Sequence, residues 1–300
     1  MVDYNPKNWL GFIFSFHPSD TIRILWKELI YIAFLTAIIT ALELHFYPNS
    51  SVLKNLTSVY SLLGFVISLL LVFRTNTAYD RWWEGRKMWG SVVNDSRNLG
   101  TIISALRIDE KEKETFRAGI AGFSVSMKEH LRGNKTEGIG LWKIPDHIKH
   151  QPLWIAGELR KRIQQLMDES KIDSLQWKQL NKHLDQLVDS LGACERIRNT
   201  PIPYSYSLFF KKFIFMYVVT MPLAFVEVFE YWSVLISTFV FYALVSMEIL
   251  AEEIEDPFGL DTNDLPLDAI CKTIDTNLWE VFSTKNILAN SEELAPRNEQ

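Results

Sequence analysis

"NLTSVYSLLGFVISLLLVFRTNTAYDRWWEGRKMWG", Asn55 to Gly90, decides how this chain is read. Its first part, Asn55 to Phe73, is 19 residues without a charge. Its second part, Arg74 to Gly90, sets Tyr79, Trp82, Trp83 and Trp89 among Asp80, Arg81, Glu84, Arg86 and Lys87. A charge-free run of this length matches the roughly 20 residues needed to cross a hydrocarbon core. Aromatic rings beside Arg and Lys suit the membrane–water interface on the cytoplasmic side. No proline or glycine stands between Phe65 and Glu84, so the helix is expected to run on out of the membrane.

Working outward, three further runs carry no charge: Leu29–Leu42 and Phe213–Val226, of 14 residues each, and Tyr231–Met247, of 17. Four spans are therefore expected, the short ones ending against protein or a water-filled passage rather than lipid alone. Core helices of a soluble protein are the alternative, but the remaining residues could hardly cover four such runs. The mean hydropathy of +0.01 averages apolar regions near 24–73 and 208–250 with a charged stretch over 84–200. A net charge of -5 points to no nucleic-acid partner.

The flanks set an orientation. Arg23 and Lys27 precede the first span, Arg74, Arg81, Arg86 and Lys87 follow the second, and Lys211 and Lys212 precede the third. The opposite turns carry Glu43, Lys54, Glu227 and Glu230. The excess of Lys and Arg places both termini and residues 84–200 in the cytoplasm, with the chain multi-pass in a bacterial inner membrane. "EVFEYW" leaves room only for a tight hairpin between the third and fourth spans. No cleavable signal peptide is evident, and Cys194 and Cys271 offer no disulfide framework.

The expected division is a cytoplasmic N-terminal segment, 1–28; spans one and two, 29–83; a helical cytoplasmic region, 84–207; spans three and four, 208–250; and a C-terminal segment, 251–300. The last holds an acidic turn, a helix and a polar tail. Within 84–207, helical periodicity covers Glu112–Gly133, Gln151–Glu169 and Ser174–Ile197. In the third of these, Leu175, Leu180, Leu184, Leu187 and Leu191 read as one stripe. The fold class is all-α.

Catalytic signatures such as a nucleotide-binding loop, a metalloprotease helix or a nucleophile elbow are missing, so an enzyme is not expected. "DHIKH", Asp146–His150, holds two histidines three apart; it reads as a solvated helix end rather than a metal pair, and no metal or cofactor is expected.

Two features suggest ion passage. Phe65, Leu69 and Phe73 recur every four residues and form one apolar ridge beside a stripe of Ser61, Gly64 and Ser68. The ridge is either lipid-facing bulk or, with several copies around an axis, a hydrophobic constriction that gates by dewetting. The second reading requires an oligomer with closed cyclic symmetry. In "RNTPIPYSYS", Arg198–Ser207, two prolines flank Ile202 and stop the preceding helix. That segment is either a plain connector or the cytoplasmic end of the same path.

"FRTNTAYDRWWEGRKMWG" (Phe73–Gly90), "TPIPYSY" (Thr200–Tyr206) and "EIEDPFGLDTNDLPLD" (Glu253–Asp268), in this order with four spans, resemble the bacterial branch of the bestrophin family. The resemblance covers about residues 10–285 and implies a homopentamer, in contact with lipid, whose axial pore passes monovalent ions. It places Phe65, Leu69 and Phe73 as rings of a pore neck, and Ile202, before Pro203, as a cytoplasmic aperture; residues 84–200 become a helical vestibule. Animal members bind calcium in an acidic loop, matched here by Asp256, Asp261 and Asp264. Leu260 interrupts the acidic set, and calcium favours six to eight oxygens, so the loop reads as a turn and packing motif. Chloride is the ion implied by the animal members, while acids near the outer face leave a cation such as sodium as the other choice. Arg81 and Arg86 are expected to seek Asp80, Glu84 or acids near Asp256. The rival function is a membrane-anchored helical scaffold or sensor without a pore.

Overall fold

A computed structural model of the protein describes residues 21–46, 51–136 and 142–293; the N-terminal segment up to residue 20 and the end of the tail lie outside the described residues. Among the described residues the regular elements are α-helices, as expected: α1 (Thr21–Phe46), α2 (Ser51–Ala105), α3 (Glu110–Leu131), α4 (Gln151–Asp168), α5 (Ser174–Asn199), α6 (Tyr204–Thr220), α7 (Pro222–Phe229), α8 (Trp232–Glu255) and α9 (Leu267–Glu293). They fall into two compact units. One comprises Met1–Trp82, Pro201–Pro257 and Asp261–Asp264, the other Trp83–Thr200, Phe258–Leu260 and Leu265–Gln300.

Four helical stretches are long and apolar enough to cross a membrane: Thr21–Phe46, Leu56–Ala105, Tyr204–Phe229 and Trp232–Glu255. The helices exceed the charge-free runs because each continues into its polar flanks. α1 begins at Thr21 and takes in Arg23, Lys27 and Glu28 before the run starts. α2 continues unbroken for 55 residues, through Gly85, Gly90 and Gly100, about 80 Å at 1.5 Å per residue. The third span departs from the single run read in the sequence. Pro222 has no N–H and its ring blocks the preceding turn, so α6 ends at Thr220 and α7 starts afresh. The expected hairpin is a two-residue turn, Glu230–Tyr231, with Glu230 at φ 44°.

α1 packs along α8, with further contacts to α6 and α7. Small hydroxyl residues line this seam: Thr40 and Ser233 oxygens lie 3.1 Å apart, and the Ser246 hydroxyl donates to Thr21 at 2.9 Å. Such side chains allow close backbone approach while satisfying each other away from water. The apolar centre of the first unit is Ile32, Ile67, Leu71, Phe210, Ile214, Val218 and Phe241.

In the second unit α3 packs against α4, α5 and α9, and α4 against α5. α5 opens on a capping box, in which Asp173 accepts from the Gln176 N–H at 2.7 Å and Gln176 accepts from the Asp173 N–H at 3.0 Å. Leu180, Leu184, Leu187 and Leu191 are buried, but Leu175 is 66% exposed. Five residues before Leu180 at about 100° each places Leu175 on the opposite face, which corrects the five-member stripe. Cys194 and Cys271 are both buried and unpaired, and burial pushes their thiols up to about 12 and about 11.

Gly119 of α3 faces Leu159 of α4 and the Trp142 ring at close range. A Cβ there would stand 2.8 Å from Leu159 and 2.8 Å from Trp142, whereas a Cβ at Gly157 of α4 would meet nothing within 4 Å. Gly119→Ala is therefore expected to cost about 1–3 kcal/mol by overpacking. Gly157→Ala gains up to about 1 kcal/mol of helix propensity. Thermal melts of the detergent-solubilised protein should move in opposite directions for the two.

Candidate functional site

The site is built on the two faces of α2. Ile67, Leu71, Arg74 and Ala78 are buried against the chain's own helices, while Phe65, Leu69 and Phe73 are 66%, 45% and 56% exposed. At about 100° per residue the centres of these two sets lie roughly 170° apart. The three ridge residues therefore share one face, turned away from the core of the first unit. The small stripe serves a different purpose from backbone contact. At Gly64 an added Cβ would stand 2.7 Å from the Tyr217 hydroxyl, so the glycine makes room for a ring of α6, and Ser61 and Ser68 are exposed.

Directly after Phe73, Arg74 is 1% exposed, and the guanidinium turns inward to two acids of α8. Its Nη2 lies 2.8 Å from Glu255 Oε2 and its Nε 3.6 Å from Glu248 Oε2. Arg74 was read from the sequence as one of the basic residues that flank the span; the structure uses it as the buried partner of Glu248 and Glu255. The signal lay in the spacing of those acids, which stand seven residues, two turns, apart on one face of an apolar helix.

Glu255 does more than pair with Arg74. Its Oε1 accepts the Ile202 N–H at 2.6 Å, and its backbone carbonyl accepts from Arg81 Nε at 3.1 Å. Ile202 lies in the break between α5 and α6, with Pro203 at φ -54° and ψ 129° as the N-cap of α6. The sequence-predicted ridge and aperture are thus both tied to one glutamate that sequence reasoning did not select.

The carbonyl that Arg81 meets is the one next to Asp256. Arg86 is exposed, and Glu84 pairs with Arg196 at 2.7 Å. The Trp82 indole N–H donates to Asn263 O at 3.0 Å, which fixes the interfacial cluster to the acidic loop. Within the loop Asp256 and Asp261 are exposed and Asp264 is buried. Asp264 Oδ2 accepts the Asp261 N–H at 2.7 Å, closing the turn. Burial pushes the Asp264 carboxyl up to about 6, and neighbouring Asp261, Asp256 and Glu253 push the same way. Leu260 is 83% exposed. Glu43, considered above as an acid at an outer entrance, is buried in the first unit.

Residues 1–280 match the family described as bacterial and fungal bestrophin protein. Among curated relatives, a voltage-dependent anion channel-forming protein of Nostoc is 37% identical over 289 residues, covering 92% of this chain and 92% of its own. One of Escherichia coli is 31% identical, covering 96% of each. A crystal structure of a bacterial bestrophin homolog from Klebsiella pneumoniae is 28% identical and covers 86% of this chain and 98% of its own, with a TM-score of 0.77.

Two outcomes follow from this geometry. Arg74→Met leaves Glu248 and Glu255 buried without their cation and is expected to cost about 3–5 kcal/mol, read as a lowered melting temperature; adding Glu255→Gln should recover part of the loss. For Asp264, the folded pKa of about 6 stands above the unfolded 3.8. Its stabilising contribution is complete below pH 3.8 and is lost as pH rises through about 6. The melting temperature of the unmodified protein should therefore fall more between pH 5 and pH 7.5 than that of Asp264→Asn.

Proposed function

This chain belongs to the bacterial and fungal bestrophin family, and we propose that it is the subunit of a membrane channel for small monovalent anions. The observation that carries the reading is the ridge: three apolar side chains, four residues apart, exposed on the face of α2 opposite the core. Lipid would accept such a face. The curated relatives, named as anion channel-forming proteins over nearly their whole length, favour an ion path. One helix cannot enclose a pore, so the reading requires several copies, and the resemblance makes the assembly a homopentamer.

In this assembly Phe65, Leu69 and Phe73 form successive rings of a dry neck, and ions cross it when the rings wet. Ile202 supplies a further ring at the cytoplasmic side. The positive-inside pattern puts both termini and residues 84–200 in the cytoplasm of a bacterial cell, beneath its inner membrane. The neck has no charge of its own. Burial of Glu43 removes one acid from those that would enrich cations at the outer entrance, which favours the anion reading. The Asp256–Asp264 loop acts as a packing turn, and no calcium ion is assigned to it.

Purified protein in planar bilayers under asymmetric KCl should give currents that reverse near the chloride equilibrium potential. Leu69→Ala and Phe73→Ala should raise the current several-fold, and Ile202→Ala should raise it or relax ion preference. Reversal at the potassium potential overturns the anion assignment. No current from an intact oligomer, or currents unaltered by all three substitutions, leaves a non-conducting scaffold as the better reading.

A further inference from the structure

The second unit gathers a set of side chains that the channel reading does not use. The sequence places His147 and His150 three apart, but in the folded chain His150 meets His130 and Glu195, which lie 20 and 45 residues away. We propose that His130, His150 and Glu195 bind one divalent transition-metal ion, with zinc the best match to their chemistry.

Each residue offers one ligand atom, and these atoms lie within 4.8 Å of one another. His130 Nε2 is 2.7 Å and His150 Nε2 is 2.8 Å from the same oxygen, Glu195 Oε1. The two imidazoles stack with centroids 4.5 Å apart and an interplanar angle of 25°. Three separate elements aim these atoms at one point. His130 sits in the last turn of α3, His150 is the N-cap of α4, and Glu195 lies near the end of α5. The backbone around His130 is pinned by Arg198 Nη1, which donates to the His130 carbonyl at 2.8 Å. The side chains of His130, His150 and Glu195 are 26%, 37% and 26% exposed, which orders them yet lets solvent supply a fourth ligand.

Two imidazoles and one carboxylate with an open fourth position form a recurrent zinc donor set, whereas calcium and magnesium prefer oxygen throughout. Metal–ligand bonds of about 2.0–2.1 Å in a tetrahedron put donor atoms about 3.3 Å apart. The present hydrogen-bonded spacings therefore need to open by about 0.5 Å, within the reach of side-chain rotation. A coordinating Nε2 carries no proton, so each neutral imidazole binds with its N–H at Nδ1. At His150 this displaces one long contact, the 3.4 Å bond that Nδ1 accepts from the Leu153 N–H. The Glu195 carboxylate neutralises one of the two charges of the ion. Bound there, the metal clips the ends of α3 and α5 to the start of α4.

The test uses the full-length, tag-free protein, stripped with a chelator in detergent and titrated with zinc by calorimetry, with metal counted after desalting. One ion per chain is expected, with a rise in melting temperature on binding. His150→Ala and Glu195→Gln should each weaken the affinity at least tenfold; the glutamine still offers an oxygen to both rings, so this variant keeps the local packing. Cobalt in the unmutated protein gives a reading that needs no variant, and the intense visible absorption of a tetrahedral site is expected. Absence of stoichiometric zinc, equal affinity in both variants, binding of calcium or magnesium as tight as that of zinc, or a pale octahedral cobalt spectrum each overturns the assignment.

Discussion

A guanidinium buried one residue beyond the exposed Phe73 constrains everything around it. A guanidinium is a cation, and taking that charge out of water costs several kcal/mol unless acids accompany it. α8 must therefore bring Glu248 and Glu255 to the inner face of α2, and this fixes both the rotation of α2 about its axis and its height against α8. Once Arg74 points inward, helical geometry forces Phe65, Leu69 and Phe73 outward. The ridge is where it is because the arginine is where it is.

Glu255 extends the same constraint. Through Arg74 it holds the end of the ridge, through Oε1 it holds the Ile202 N–H, and through its carbonyl it holds Arg81. The proline-bounded segment gains from this, because it lies between helices and lacks a helical partner for that N–H. A single carboxylate therefore sets the position of two rings that the channel reading treats as separate constrictions. Glu248 contributes differently, by Coulombic attraction at 3.6 Å without a hydrogen bond.

The helices and the ridge were legible in the sequence because both follow from periodicity along one chain segment. The charge-free run from Asn55 to Phe73, the four-residue spacing of Phe65, Leu69 and Phe73, and the proline pair around Ile202 are local signals. The partners were not legible. Whether Arg74 marks an interface or sits in a core depends on α8, which lies more than 150 residues away. Asp264 becomes the buried acid of its loop, and Asp256 and Asp261 the exposed ones, only after the turn closes. Leu175 shows a smaller failure of the same kind, since a five-residue step looks regular among leucines yet crosses to the opposite face. Likewise "DHIKH" invited pairing of neighbouring histidines, while the contacts that form join residues from three helices.

The distribution of charge bears on how such a neck would choose its ions. The ridge is apolar, and Arg74, which follows it, and its two acids are turned into the core of the first unit rather than toward the exposed face. One guanidinium balances one of its two carboxylates, so the cluster projects toward the opposite face at most the field of a single residual charge. The neck is then selective chiefly through the cost of dehydrating an ion against Phe65, Leu69 and Phe73. On that reading sign selectivity must arise where water and charge coexist, away from the neck. On the channel reading the buried cluster separates two tasks: Arg74, Glu248 and Glu255 fix the geometry of the ridge, and exposed groups elsewhere bias which ions arrive at it.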